Sequence, residues 1–307
     1  MSGLTLTAGL SFSGGITMTE APDAGDTAAW FGGGNPGYPS TVDRITFATD
    51  TNTASVRGPL SSGRSGSAAT GNSTYAWFGG GRDPTQISKV DRITCATDTA
   101  TASVRGPLSS ARYDLAAAGN TTNGWFAGGA AGIYRSTVDR ITYATDTATA
   151  SVRGPLSSTR YYLAAAGNTT DGWFGGGNGS VSTVNRITYA TDTATASVLG
   201  PLSVGRYGLA AAGNTTNGWF GGGYSGSTVD RITYATDTAT ASVRGPLSAV
   251  RYYLAAAGNT TNGWFGGGNG AVSTVQRITY ATDTDTASVR GPLSSGRFRL
   301  GAAGGMQ

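Results

Sequence analysis

Apolar and polar residues alternate along this chain in short bursts, and the bursts recur in a fixed order. "STVDRITYAT" (Ser136–Thr145) puts Val and Ile between polar neighbours, is rich in β-branched residues and is bounded by turn formers. That pattern predicts a strand with one buried face. Three further segments behave similarly: "RYYLAAAGN" from Arg160, "WFGGG" from Trp173 and "ASVRGP" from Ala150. In chain order a unit has an inner strand a, an Asn/Gly turn, strand b, a variable loop, strand c, a "DTAT" turn and strand d. A link such as "LSSTR" leads into the next unit.

The unit recurs. Trp30, Trp77, Trp125, Trp173, Trp219 and Trp264 are spaced by 47, 48, 48, 46 and 45 residues, and "GPLS" occurs six times. A period in the forties suits a propeller blade or a helical array. A Gly triplet, a Pro and many Thr per period exclude the helices. Four strands repeated radially make a β-propeller. The first unit, "GDTAAWFGGG" from Gly25, has no strand a before it, and the last is followed by "RFRLGAAGG" from Arg297, a strand a with no partner. Together they make one blade. The expected fold is an all-β, six-bladed propeller over 23–307, closed by pairing its last strand with its first blade. Closure removes exposed sheet edges.

Composition narrows the chemistry. The 307 residues include 50 Gly, no His, one Cys (Cys95), one Glu (Glu20) and one Lys (Lys89), and the formal charge is +4. Of 21 basic residues, 17 occupy three recurring positions. That distribution reads as architecture, not as a nucleic-acid stripe. One Cys makes no internal disulfide framework. No apolar run approaches the ~18 residues of a membrane span, and "MSGLTLTAGLSFSGG" lacks the pattern of a secretory leader. We expect no cofactor, no metal, no nucleic-acid partner and no membrane insertion.

The repeat resembles the kelch repeat. Arg160 enters the inner strand, Gly176-Gly177 forms the doublet, and Tyr189 is followed by Asp192 to Thr195 as "D-x-x-T". The resemblance covers 23–307 and implies four-stranded blades. One departure stands out: kelch blades carry a Trp in strand d, where this chain has Ala196, Ser197 and Val198 and places its Trp in strand b. The wording "TDTATASVRGPLSS" also resembles repeats in virion and tail-associated proteins of phages that infect cyanobacteria. That resemblance implies a structural or adhesion role in a particle assembled in a host cytoplasm. Kelch-type oxidases need His among their copper ligands, and six-bladed sialidases need a Tyr, an acidic partner and an Arg triad. Neither set is present, so a non-enzymatic role is expected.

Two candidate sites follow. Arg64, Arg112, Arg160, Arg206, Arg251 and Arg297 each precede strand a. They either ring an electropositive axial mouth for an anion or are tied down by carbonyls or an Asp of a neighbouring blade. The b–c loops differ from blade to blade and carry Tyr38, Arg82, Asp83, Tyr134, Arg135 and Tyr224. Tyr and Arg on loops of a rigid scaffold are typical contact residues, so these loops are the expected recognition face.

The other recurring residues read as architecture. Arg44, Arg92, Arg140, Arg186, Arg231 and Arg277 suit cross-blade ladders. Arg57, Arg105, Arg153, Arg244 and Arg290, interrupted by Leu199, suit solubility and edge protection on outer strands. Asp50, Asp98, Asp146, Asp192, Asp237 and Asp283 suit turns, as do the sequon asparagines Asn72, Asn120, Asn168, Asn214 and Asn259. Cys95 takes the packing slot of Tyr143 and its counterparts.

Residues 4–19 do not repeat. Leu4, Leu6, Leu10, Phe12, Ile16 and Met18 alternate with Thr and Ser, the pattern of a strand with one apolar face. We read residues 1–22 as a β arm that docks on another subunit or a virion protein. The reading as a whole is a phage structural or adhesion protein, tail- or fibre-associated, with a host-surface glycan as a further partner. The alternative is a free lectin with repeated carbohydrate sites, and a glycan hydrolase ranks third.

Overall fold

The computed structural model describes residues 27–224 and 226–304. The arm residues Leu4, Leu6, Leu10, Phe12, Ile16 and Met18 lie outside the described residues. Six four-stranded antiparallel sheets are arranged radially. In blade 2, strand a is Ala68–Gly71, b is Tyr75–Gly79, c is Val90–Thr94 and d is Ser103–Arg105. Strand c ends in a one-turn 3-10 helix, Cys95–Thr97. The pattern repeats around the ring. Strand a is shorter than the sequence implies: the residues from Arg160 to Leu163 approach the axis before pairing begins at Ala164.

Blade 1 is made from both ends of the described chain. Gly301–Gly304 pairs antiparallel with Ala28–Gly32, matching Trp30 to Ala303 and Phe31 to Ala302. Ring closure is therefore as the sequence predicts.

Alternation along strand b sends Trp and Phe to opposite faces of each sheet. Trp30 faces blade 2, where it joins Phe78, Ile93 and Cys95, whereas Phe31 faces blade 6 and joins Trp264. Each of the six hydrophobic clusters thus lies between two blades, so no blade buries its core alone. All six Trp are fully buried. Five of them stack on an aromatic of the next blade, as Trp125 does on Tyr189 at 3.7 Å between ring centres. Trp30 meets Cys95 instead, so Cys95 fills a packing slot as expected.

A charged clamp crosses each interface. Asp98 Oδ2 accepts from Trp30 Nε1 at 2.8 Å and from Arg44 at 3.2 Å, and lies 3.5 Å from Arg57 Nε. Asp146, Asp192, Asp283 and Asp50 do the same for Trp77, Trp125, Trp219 and Trp264 and their arginines. In blade 4, Leu199 replaces the third partner, and Asp237 holds Trp173 and Arg186 alone. Two expectations are corrected here. The recurring aspartates do more than form turns: they are buried acceptors that bridge blades. Arg57, Arg105, Arg153, Arg244 and Arg290 are not general surface charge, because each points its Nε at that carboxylate. Arg44 and its counterparts do bridge blades.

The asparagines behave as turn residues: Asn120 Oδ1 accepts from the main chain of Thr122 and Asn123.

Candidate functional site

The six arginines that precede strand a form no mouth. They are buried, and each guanidinium reaches radially into its own blade. Arg64, Arg206 and Arg297 meet Asp91, Asp230 and Asp43 at 2.5, 2.6 and 2.5 Å, and Arg112 meets Asp139 at 2.9 Å. Arg160 contacts Asn185 and the carbonyl of Thr183, and Arg251 contacts that of Thr274. Burial lowers every one of their pKa values, that of Arg160 to about 10. The anion-receiving ring is therefore overturned. The tied-down alternative is the one observed, with the Asp drawn from the same blade and not from its neighbour. The physical reason is that a buried guanidinium keeps its charge only where carboxylate or carbonyl oxygens surround it.

What occupies the axis at this end lies two residues further on. Gly66, Asp114, Tyr162, Gly208, Tyr253 and Arg299 each sit one per blade, and all six have left-handed φ between 55° and 68°. Their main chains form a closed cycle. Asp114 N donates to Gly66 O, Tyr162 N to Asp114 O, Gly208 N to Tyr162 O, Tyr253 N to Gly208 O, Arg299 N to Tyr253 O, and Gly66 N to Arg299 O, at 2.6–2.9 Å. The left-handed turn aims each N–H at the preceding blade. Glycine takes that conformation freely, whereas other residues give up roughly 1–2 kcal/mol. Gly66 and Gly208 face each other across the ring. A Cβ on Gly66 would lie 2.6 Å from the Asp114 carboxylate, and one on Gly208 2.9 Å from the Tyr253 ring. The two glycines make room for the four side chains between them.

These four side chains form a cup on the axis. With Leu115, Leu163, Leu209, Leu254 and Leu300 as its floor, it encloses about 60 Å³. Arg299 lies over the Tyr162 and Tyr253 rings, 4.9 and 4.5 Å from their centres, and hydrogen-bonds the Tyr162 hydroxyl. Its Nη1 is 4.0 Å from Asp114 Oδ2, an oxygen that makes no hydrogen bond. Burial pushes the Asp114 carboxyl up to about 6, against the pull of Arg299 and Arg82. Burial and the Asp114 charge push the Tyr162 hydroxyl well up, and the same carboxylate helps raise Arg299.

Around the cup lies a second circle: Ser65, Tyr113, Tyr161, Tyr207, Tyr252 and Phe298. Main-chain hydrogen bonds tie each member to the b–c loop of its own blade, as Tyr113 to Ala130 and Tyr224 to Tyr207. The loops form the outermost circle. Tyr134 stacks on Tyr161 at 4.5 Å, Tyr224 stacks on Tyr207 at 5.0 Å and meets Tyr252 edge-on at 5.4 Å. Tyr161 adjoins Tyr162, Tyr252 adjoins Tyr253, and Tyr162 and Tyr253 meet across the cup at 4.7 Å. The result is a continuous tyrosine surface over blades 3 to 6. Arg82 lies over Tyr113 at 4.9 Å beside it. In blades 2 and 3 the loops become two-residue β-ribbons, Arg82–Asp83 with Thr85–Gln86 and Ala130–Ala131 with Ile133–Tyr134.

Of the loop residues singled out in the sequence, Arg82, Tyr134 and Tyr224 are thus brought into one surface. Asp83 is exposed at its rim, and Arg135 anchors its loop through main-chain bonds to Gly129 and Arg160. Tyr38 takes part in none of these stacks. Sequence reasoning missed Asp114, Tyr162, Tyr253 and Arg299, together with the tyrosines of the middle circle. The available signal was variation: the residue two after the constant Arg reads Gly, Asp, Tyr, Gly, Tyr, Arg in repeats that otherwise barely differ. The four basic residues outside the three recurring sets, Arg82, Lys89, Arg135 and Arg299, all lie in this ring or in the segments leading from strand b to strand c.

Among the described residues no group of His, Cys, Asp or Glu could hold a metal ion, and no helix is long and apolar enough to cross a membrane. No protein-family model matches the chain, and no curated protein matches it in sequence.

Proposed function

We propose that this propeller is a non-enzymatic recognition module, and that its ligand is a glycan of a host cell surface. One observation carries the reading: the positions at which six nearly identical repeats diverge converge on a single face. Elsewhere departures are isolated, such as Cys95, Asn185, Leu199 and Gln276, and most positions keep the residues that packing and the clamps require. At this face they differ, and what they supply is a tyrosine surface bordered by arginines. Tyr134 and Tyr224 are about half exposed, at 47% and 50%. Rigid aromatic faces take up the C–H faces of sugars with little loss of conformational entropy, and their hydroxyls reach sugar oxygens.

The likeness of the repeat wording to cyanophage tail-associated proteins supports placing this module in a virion. There it acts as a structural and adhesion component, fibre- or tail-associated, with residues 4–19 as the docking arm toward a neighbouring subunit. A free lectin would use the same face. The divergence of the blades there favours one composite site over several equivalent ones.

The test is binding to lipopolysaccharide and exopolysaccharide from cyanobacteria. The parent should bind, and a variant with Tyr134, Tyr161, Tyr207, Tyr224 and Tyr252 all changed to Ser should fold and bind at least tenfold more weakly. A parent that binds neither polymer, or a folded variant that binds as the parent does, overturns the reading. Mass spectrometry of purified phage particles tests the virion assignment separately, by a defined copy number.

A further inference from the structure

The axial cup has a chemistry of its own, and it rests on the recognition reading above. Four of the six ring positions carry a side chain although the ring demands a left-handed backbone that glycine satisfies at the other two. The four are not alike. One is an acceptor, one a donor and two are aromatic. Strain retained at several positions around one cavity marks a site where the side chains are needed.

The Asp114 carboxylate supplies the second argument. Its side chain is 3% exposed and lines the cup, and its Oδ2 makes no hydrogen bond. A buried acceptor left without a donor is costly. The nearest charged donor, Arg299 Nη1, stands 4.0 Å away, too far for a hydrogen bond of its own. An oxygen standing to one side of that gap can lie about 2.8 Å from both groups, donating to Asp114 and accepting from Arg299. A hydroxyl does both, whereas a carboxylate or sulfate cannot donate and would be repelled by Asp114.

We infer that the cup seats the terminal, uncharged sugar of a glycan, one per propeller. One sugar hydroxyl bridges Asp114 and Arg299, and the sugar's C–H groups meet the edges of Tyr162 and Tyr253, whose faces Arg299 and the neighbouring tyrosines already cover. The Tyr161–Tyr134 and Tyr207–Tyr224 stacks carry the sugars that follow. The main-chain ring and the leucines narrow the axis at the cup, so the glycan enters by its tip. The volume of about 60 Å³ admits the edge of one sugar ring and no more.

The experiment is calorimetric titration of the whole chain with neutral hexasaccharides (maltohexaose, cellohexaose, mannohexaose and β-galactohexaose) and with two acidic ones, an alginate and a sulfated galactan hexamer. The expected result is one neutral ligand bound per chain, more tightly than either acidic one. Asp114→Gly and Arg299→Gly should each weaken it roughly tenfold or more, the loss expected of one hydrogen bond to a charged group. Glycine already stands at two of the six equivalent positions, so these variants keep the fold, and circular dichroism and melting confirm it. Arg299→Lys, which keeps the charge but shortens the fork, should also weaken binding. The inference is overturned by binding of none of the neutral sugars, by preference for an acidic one, by several sites per chain, or by folded cup variants with parental affinity. If cup variants still bind cyanobacterial polysaccharide through the tyrosine surface, the recognition reading stands and the cup assignment falls. If the parent binds no cell polysaccharide yet takes a neutral hexasaccharide in the cup, the reverse holds.

Discussion

Trp30 and Asp98 belong to different blades and lie 68 residues apart, yet the indole Nε1 donates to Oδ2 across 2.8 Å. The same carboxylate oxygen serves Arg44 and Arg57. Each interface therefore joins an apolar contact to a charged one, and removal of the aspartate leaves three donors facing a void. Asp98→Ala should destabilise the ring by roughly 3 kcal/mol, the low end for a broken buried pair because both arginines reach water. Asp98→Asn should cost less, since one acceptor remains. Urea titration of both variants checks the order. A loss under 1 kcal/mol for the alanine variant would show that the clamp contributes little beyond the packing around it.

Blades 4 and 6 depart from the others at a second polar contact. Arg160 faces Asn185 where Arg64 faces Asp91, so its buried charge has no carboxylate. Asn185→Asp should raise stability at neutral pH by roughly 1–3 kcal/mol, and the gain should vanish in acid as the new carboxylate takes up a proton. The reverse change at the equivalent position, Asp91→Asn, should lower stability. Chemical denaturation at pH 7 and pH 3 separates this from a packing effect, which would not follow pH.

Cys95 stands where four other blades place a tyrosine over the preceding Trp. Cys95→Tyr should let a ring stack on Trp30 and raise the melting temperature by a few degrees, given about 0.5–1.5 kcal/mol for an aromatic pair. A lower melting temperature would mean that blade 1 has already closed around the smaller side chain.

Asp114 should impose a pH dependence. Arg299, Arg82 and Tyr162 face its carboxyl, and burial outweighs their pull, so the folded value of about 6 exceeds the ordinary 3.8. Between those values the unfolded chain has released a proton that the folded chain still holds, so stability falls as pH rises through that window. Asp114→Asn removes the effect. At pH 7 the variant should be more stable than the parent by on the order of 2–3 kcal/mol, and the two should converge near pH 4. Melting curves at pH 4, 5, 6 and 7 test this. A constant difference would place the cause outside the carboxyl's titration.

The blade count, the strand order and ring closure were legible because period, turn chemistry and strand alternation report backbone geometry directly. Which charges meet was not. Up to three arginines and two aspartates recur per unit with the same spacing, and spacing alone cannot say whether Asp50 faces its own blade or Trp264, 214 residues away. The arginines before strand a were placed near the axis because of where their backbone lies, but a long side chain can turn away from its own Cα, and these do. The cup was not legible because no change of length marks it. Asp114, Tyr162, Tyr253 and Arg299 vary only in identity, within segments of constant length that read as strand.

Closure through Gly301–Gly304 also dictates an order of events. A ribosome releases Ala28–Gly32 long before the residues that must pair with it, and Arg297 and Gly33, which share a hydrogen bond, are separated by 264 residues. Blades 2 to 6 each draw their four strands from a continuous run of chain and can stack as they emerge. Blade 1 cannot. Until the final strand arrives, Ala28–Gly32 has an unpaired edge, and the axial hydrogen-bond cycle lacks its two links through Arg299, to Gly66 and to Tyr253. The last stage of folding is therefore a single long-range joining event that completes the sheet, one interface and the axial cup together. Partial products of translation that stop before Gly301 have neither a sealed perimeter nor a closed axial ring.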